Sequence, residues 1–206
     1  MRKLLLLGLI IYLSGCSTAQ LAIIKPVTNL PPHNIQNNQS REVAVTKIVV
    51  DIKPNSIIGR KNIGIFCTAG PALTWAGMEE FIKYYPTILI DKLSENGYKI
   101  NKKPSSLFES DVPDNAELLI GGRIMEISSN ICYAPKGQKG EAYMKIKWEI
   151  YERKSKAVLL TMSTDGGSKI TEFTPAGVTK LFNQTVGIAA DNLLANEKFY
   201  SLFIIE

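Results

Sequence analysis

Residues 141–152, EAYMKIKWEIYE, alternate in character without a break. Ala142, Met144, Ile146, Trp148 and Ile150 fall on one side, and Tyr143, Lys145, Lys147, Glu149 and Tyr151 on the other. Successive side chains of a strand point to opposite faces, so this is a strand with one face buried and one face wet. RKSK (153–156) turns the chain, AVLLTMST (157–164) returns antiparallel, and DGGS (165–168) ends that strand.

The remaining elements are placed around this hairpin. VAVTKIVVDI (43–52) is a β-branched strand, PNS (54–56) a turn, and SIIGRKNIGIFC (56–67) a second strand with a bulge at Gly59. These two are expected to form a hairpin. TAGPALTWAGM (68–78) is a Gly/Pro loop, with Trp75 either in the core or anchoring a partner. A helix is expected from Met78 to Asn96, with Phe81, Tyr85, Ile88, Leu89 and Leu93 on one face. Pro86 either kinks it or opens a second helix in its first turn, and Gly97 caps the end. YKI (98–100) is a short strand and 101–115 a long connection. AELLIGGRIMEI (116–127) reads as a central strand, its Gly121-Gly122 pair marking a bulge or a close backbone approach. Thr174-Pro175 opens a helix whose stripe is Val178, Leu181, Phe182, Val186, Ala189 and Leu193. EKFYSLFI (197–204) is a short terminal helix.

The order β-β-α-β-β-β-β-α implies an α+β fold: a single mixed, mostly antiparallel sheet of five to six strands with two main helices packed on one face. The second and fourth strands, joined across a helix, are candidates to run parallel. Apolar content of 45% and charged content of 21% suit a globular core. The formal charge of +5 includes Arg2 and Lys3 and is otherwise about +3, too small a bias to argue for nucleic acid.

The N-terminus carries the address. Met1-Arg2-Lys3 is followed by an apolar run, Leu4 to Leu13, too short for a bilayer-spanning helix of roughly 20 residues. A charged start, a short apolar run and a small-residue exit read as a secretory signal. Leu13-Ser14-Gly15-Cys16 resembles the lipobox of bacterial lipoproteins. That resemblance implies that Cys16 becomes the first mature residue and is multiply acylated, with chains such as palmitate. Residues 1–15 are then a signal peptide, 16–42 a lipidated N-terminus and flexible tether, and 43–206 one α/β domain. Ser17, rather than Asp, implies the outer membrane, with the domain facing the periplasm. Pro26, Pro31, Pro32 and NIQNNQS (34–40) suit a tether, while LAIIKPV (21–27) is apolar enough to dock on the domain or a partner.

With Cys16 lipidated, Cys67 and Cys132 remain. An even pair in an oxidising compartment usually bonds, and parallel second and fourth strands would bring both cysteines together at the strand ends. The alternative is two buried free thiols.

Three stretches, YYPTILIDKLSENGYKI (84–100), DNAELLIGGRIMEI (114–127) and MKIKWEIYERKSKAVL (144–159), resemble the α/β domain of certain envelope lipoproteins. These are the auxiliary lipoproteins of ABC-type lipid transporters and the curli-secretion lipoproteins; similar domains also precede trypsin-like peptidases. The likeness covers 43–203 and rests on element order, on a helix ending in GY and on a strand ending in GGRI. It carries over no functional residue.

Reactive groups are sparse. His33 is the only histidine and falls in the expected tether, so no triad is expected. With the cysteines committed, no metal site or cofactor is expected. Glu79-Glu80 and ESDVPD (109–114) read as a helix start and a polar loop. GGRI and DGGS lack phosphate-loop spacing. The suggestive feature is basic: Lys136, Lys139, Lys145, Lys147, Arg153, Lys154 and Lys156 against Glu141, Glu149 and Glu152, a net +4 interleaved with Tyr133, Tyr143 and Tyr151. Such a face would meet anionic headgroups, lipopolysaccharide or an acidic partner, or be an ordinary solvated strand face. The expected function is a non-catalytic outer-membrane lipoprotein, an accessory or structural subunit of an envelope assembly such as a secretion-system complex or transport machine. Its partners would be the membrane, through the lipid, and other envelope proteins, with no nucleic acid and the ligand open. The alternative is a periplasmic lipid- or glycan-binding module; a carboxylate-based hydrolase is a third.

Overall fold

The computed structural model describes residues 24–35, 40–76, 79–101 and 116–204. Ten elements follow in chain order: β1 (Val43–Val50), β2 (Ile57–Ile63), β3 (Ala72–Thr74), α1 (Glu79–Ile82), α2 (Tyr85–Glu95), β4 (Leu118–Ala134), β5 (Gly137–Glu152), β6 (Ala157–Thr174), α3 (Gly177–Leu194) and α4 (Glu197–Ser201). They form an α+β fold with one six-stranded mixed sheet. β4, β5 and β6 are a long antiparallel meander.

β1 and β2 do not form the expected hairpin. Both run parallel to β4 and share its free edge end to end, β1 against Leu118–Ile124 and β2 against Ser129–Tyr133. The turn at 54–56 keeps the chain's direction instead of reversing it. β3 then closes the edge antiparallel to β2, within the segment expected as loop. The parallel pairing of the second strand with the fourth long strand is as the sequence implies.

The meander strands are longer than patterning suggests. β4 continues through SSNICYA to Ala134, and Cys132 lies inside the strand rather than beyond its end. Its polar Ser129 is buried, donating to the Glu141 carbonyl at 3.1 Å. β6 runs through DGGS, where glycine is needed for close approach. A Cβ on Gly166 would lie 1.9 Å from the Thr185 carbonyl oxygen of α3, and one on Gly167 would lie 3.0 Å from Val27. The Gly121-Gly122 pair is also a close approach: a Cβ on Gly122 would meet the Trp148 ring at 2.9 Å.

Helices cover one face. In place of one helix the described residues from 79 onward form two, with Pro86 in the first turn of α2, where its missing N–H would have had no partner anyway. Gly97, at φ 81°, ends α2 with the paired Gly97 N–H to Ser94 and Tyr98 N–H to Leu93 bonds of a Schellman turn. α3 starts at Gly177, not Thr174, which stays in β6 opposite Gln138. Ala176 at its N-cap makes no side-chain bond; the Gln138 side-chain oxygen from β5 accepts from the Val178 N–H at 3.4 Å. Leu181, Phe182, Val186, Ala189 and Leu193 of α3 are buried in one cluster with Ile146, Trp148, Ile150, Leu89 and Phe199. Trp75 is buried in the same core. Trp148 donates its indole N–H to Thr164 at 2.7 Å, and Thr164 donates onward to the Ala189 carbonyl at 2.7 Å, tying sheet to helix.

Residues 24–35 fall within the stretch expected as flexible tether, yet they lie against the domain. The His33 and Ile35 N–H groups donate to Leu194 and Asn96 carbonyls. Leu30 N–H donates to Asn192. Lys25 pairs with Glu126 at 2.9 Å and lies over the Tyr143 ring. This strap crosses from the outer sheet face, over edge strand β6, to the helix side. Val27 packs against Gly167 on the β6 edge, which would otherwise offer open pairing groups, and Ile35 packs on the core beside the end of α2. His33 stacks on Tyr200 with ring centroids 5.0 Å apart, so it is held rather than loose. YKI contributes one parallel bridge, Ile100 to Val43, in place of a strand.

Candidate functional site

Cys16 lies outside the described residues. Cys67 and Cys132 are bonded, with Cα atoms 5.3 Å apart. The parallel register of β2 on β4 places Ile63 beside Tyr133. Four residues, Gly64 to Cys67, then turn back to Thr68, whose N–H and carbonyl both bond Ile63 at 2.9 Å. The Cys67 N–H closes the turn on the Gly64 carbonyl at 3.1 Å, and the Gly64 N–H donates to the Tyr133 carbonyl at 2.8 Å. The disulfide ties the far side of this turn to β4.

The tip of that turn is apolar and exposed. Phe66 is 87% exposed, Ile65 57% and Ile63 52%. By sequence pattern these residues belong to a strand running to Cys67. Gly64, at φ 80°, is what stops the strand and turns it. A glycine between two isoleucines, with Gly70-Pro71 a few residues on, is the signal that could have located the tip.

The seven basic residues do not form one patch: Lys139, Lys145 and Lys147 share the outer face of β5 but are spread along it. β5 is 16 residues long, about 50 Å from end to end. Lys136 sits in the turn between β4 and β5, and Lys139 is close by, its ammonium 4.5 Å from the Phe173 ring centroid. Lys145 and Lys147 are mid-strand among carboxylates: Lys147 pairs with Glu149 at 3.1 Å, and Lys145 stands opposite both Glu126 and Asp165. Arg153, Lys154 and Lys156 cluster around the β5–β6 turn at the opposite end. Tyr143 donates to Asp165 at 2.8 Å; its burial, then this bond, pushes its pKa up. Burial also raises the pKa of Tyr133, beneath the Lys61 ammonium at 4.8 Å.

A groove of about 690 Å³ opens between α2, α3 and β6, lined by Ile88, Lys92, Ser168, Asn183, Ile188 and Asp191. Lys92 and the buried Asp191 are paired across it at 2.9 Å. Among the described residues no group of three or more His, Cys, Asp or Glu side chains could hold a metal ion. Glu79-Glu80 opens α1, and ESDVPD lies outside the described residues.

No family model and no curated protein matches the chain. Among solved structures it is similar to a Xanthomonas campestris protein of family DUF330, at 12% identity and TM-score 0.43, over 89% of this chain and 94% of that one. It is similar also to the PelC dodecamer from Paraburkholderia phytofirmans, at 12% identity and TM-score 0.37, over 81% and 97%. A third is a minor lipoprotein from Acinetobacter baumannii, at 8% identity and TM-score 0.37, over 80% and 96%. At these scores the likeness carries no conclusion about function.

Proposed function

We propose that this chain is a lipid-anchored envelope protein, acylated at Cys16 on the inner leaflet of an outer membrane. In this reading it serves as a non-catalytic accessory or structural subunit of an envelope assembly. The observation that carries it is the division of the three cysteines. Cys67 and Cys132 form a disulfide, the state expected of an exported chain. The third, Cys16, stands directly behind the short apolar run. A docked strap from residue 24 onward then leaves a short lead between the anchor and the domain. Crosslinking in intact cells, followed by mass spectrometry of the captured species, tests the accessory role. Reproducible capture of one set of envelope proteins is expected. A protein that crosslinks to none of them and purifies from native detergent as a lone monomer contradicts it.

A second reading, a glycan-binding module, is favoured by the polar side chains of Ser168, Asn183, Gln184 and Asp191 set among apolar surface in the α2–α3 groove. The interior between sheet and helices is filled by the buried cluster, which disfavours a bound lipid tail there.

A further inference from the structure

The end of the sheet that carries the disulfide gathers three features. The first is the apolar tip, Ile65 and Phe66, on a turn held by four backbone hydrogen bonds and a disulfide. A rigid tip loses little conformational freedom when it enters another phase. The second is charge. Lys61, Lys136 and Lys139 surround the same end: Lys136 is at the β4–β5 turn, and the register puts Lys61 and Lys139 on opposite faces of the sheet. Lys61 and Lys139 rest their ammonium groups near the Tyr133 and Phe173 rings. Among the described residues, Glu172 lies beside Phe173 at this end, and Glu141, one register position inward of Lys61, faces Lys169 at 4.0 Å.

The third is reach. The described chain begins at Ile24, and Lys25 lies over Tyr143, five residues along β5 from Gln138 at the sheet's end. That is about 17 Å along the strand. Cys16 precedes Ile24 by eight residues, which span at most about 28 Å. A lipid on Cys16 can therefore lie in the plane of the Phe66 tip.

We propose that this end docks on the surface of an anionic phospholipid bilayer, with Ile65 and Phe66 at the acyl boundary and Lys61, Lys136 and Lys139 against lipid phosphates. The inference rests on the anchor proposed at Cys16. It adds a second point of contact, which fixes the domain's orientation over the membrane and points the Arg153–Lys156 turn away from it.

The test uses the acylated protein purified from membranes, carrying Phe66→Trp, in vesicles of phosphatidylethanolamine and phosphatidylglycerol. Trp75 and Trp148 are buried and give a constant background. Brominated acyl chains quench indoles that reach the hydrocarbon. Docking predicts at least twofold quenching of the emission from the indole introduced at position 66, with a blue shift. Both should be lost when Lys61, Lys136 and Lys139 are all changed to Glu, or in phosphatidylcholine alone. Flotation of the same vesicles reads the anchor separately: a protein that fails to float overturns the anchor itself. A floating protein whose indole at position 66 stays red-shifted and unquenched overturns the docking alone. A blue shift without bromine quenching means that a second copy or another protein covers the tip, and also overturns it. Thermal unfolding matching that of the unsubstituted protein establishes that the variants fold.

Discussion

Cys67 and Cys132 sit with Cα atoms 5.3 Å apart because β2 runs parallel to β4, which brings the turn after β2 alongside the last residues of β4. The bond closes a loop of 65 residues. In the chain-entropy model such a closure stabilises the fold by about 4 kcal/mol. Replacing both cysteines with alanine should lower stability by that order in chemical denaturation. A double variant as stable as the parent would mean that the crosslink does not restrict the unfolded chain.

Two glycines that face helices should respond oppositely to alanine. At Gly166 a Cβ meets the Thr185 carbonyl oxygen at 1.9 Å and the Ala189 nitrogen at 2.9 Å, so α3 must lift from β6. Gly166→Ala should cost about 3 kcal/mol. At Gly187, inside α3, a Cβ would meet Lys92 and Ile88 at ordinary distances of 3.6 and 4.0 Å. Gly187→Ala should gain about 0.5–1 kcal/mol from helix propensity. Paired denaturation curves check the contrast.

Thr164 receives the Trp148 indole proton and passes its own to Ala189. Thr164→Val keeps the shape and strands a buried donor, costing about 1–3 kcal/mol. Thr164→Ser keeps the hydroxyl and should lose less. Equal losses in the two variants would show that methyl packing, not the relay, matters there.

Burial raises the phenol pKa of Tyr85, of Tyr98 and, helped by Asp165, of Tyr143. The folded chain therefore holds these protons more tightly than the unfolded chain does. Their contribution to stability is fully present below about pH 10, the ordinary tyrosine value, and is lost as pH rises beyond it. Phenolate absorbance should develop in two stages, the later one coinciding with unfolding. A single stage near the ordinary value, with the fold intact, would contradict this assignment.

Most of the fold was legible where periodicity was strong. EAYMKIKWEIYE, the stripe from Val178 to Leu193 and the parallel pairing of the second and fourth strands all follow from apolar spacing and chain order. The lost residues fail for identifiable reasons. SSNICYA and DGGS contain serines and glycines that normally end strands, but here Ser129 is satisfied internally and Gly166 is demanded by α3. The hairpin expected of β1 and β2 fails because β4 is long enough for both to share its edge, which local turn residues do not reveal. The basic stretch was legible as composition. A 16-residue strand, however, separates charges that are near in sequence, and Lys61, which completes one end, comes from a distant segment.

A lipid at Cys16 is what would hold this disulfide-bonded domain at a membrane, and its chemistry can be weighed. Intact-mass analysis of the protein purified from its native membrane fraction reads both the acyl chains and the thiol state at once. The expected mass is that of a chain beginning at Cys16, carrying acyl chains and lacking the two hydrogens of a closed Cys67–Cys132 bond. A chain that retains residues 1–15, with an unmodified thiol at Cys16, would contradict it.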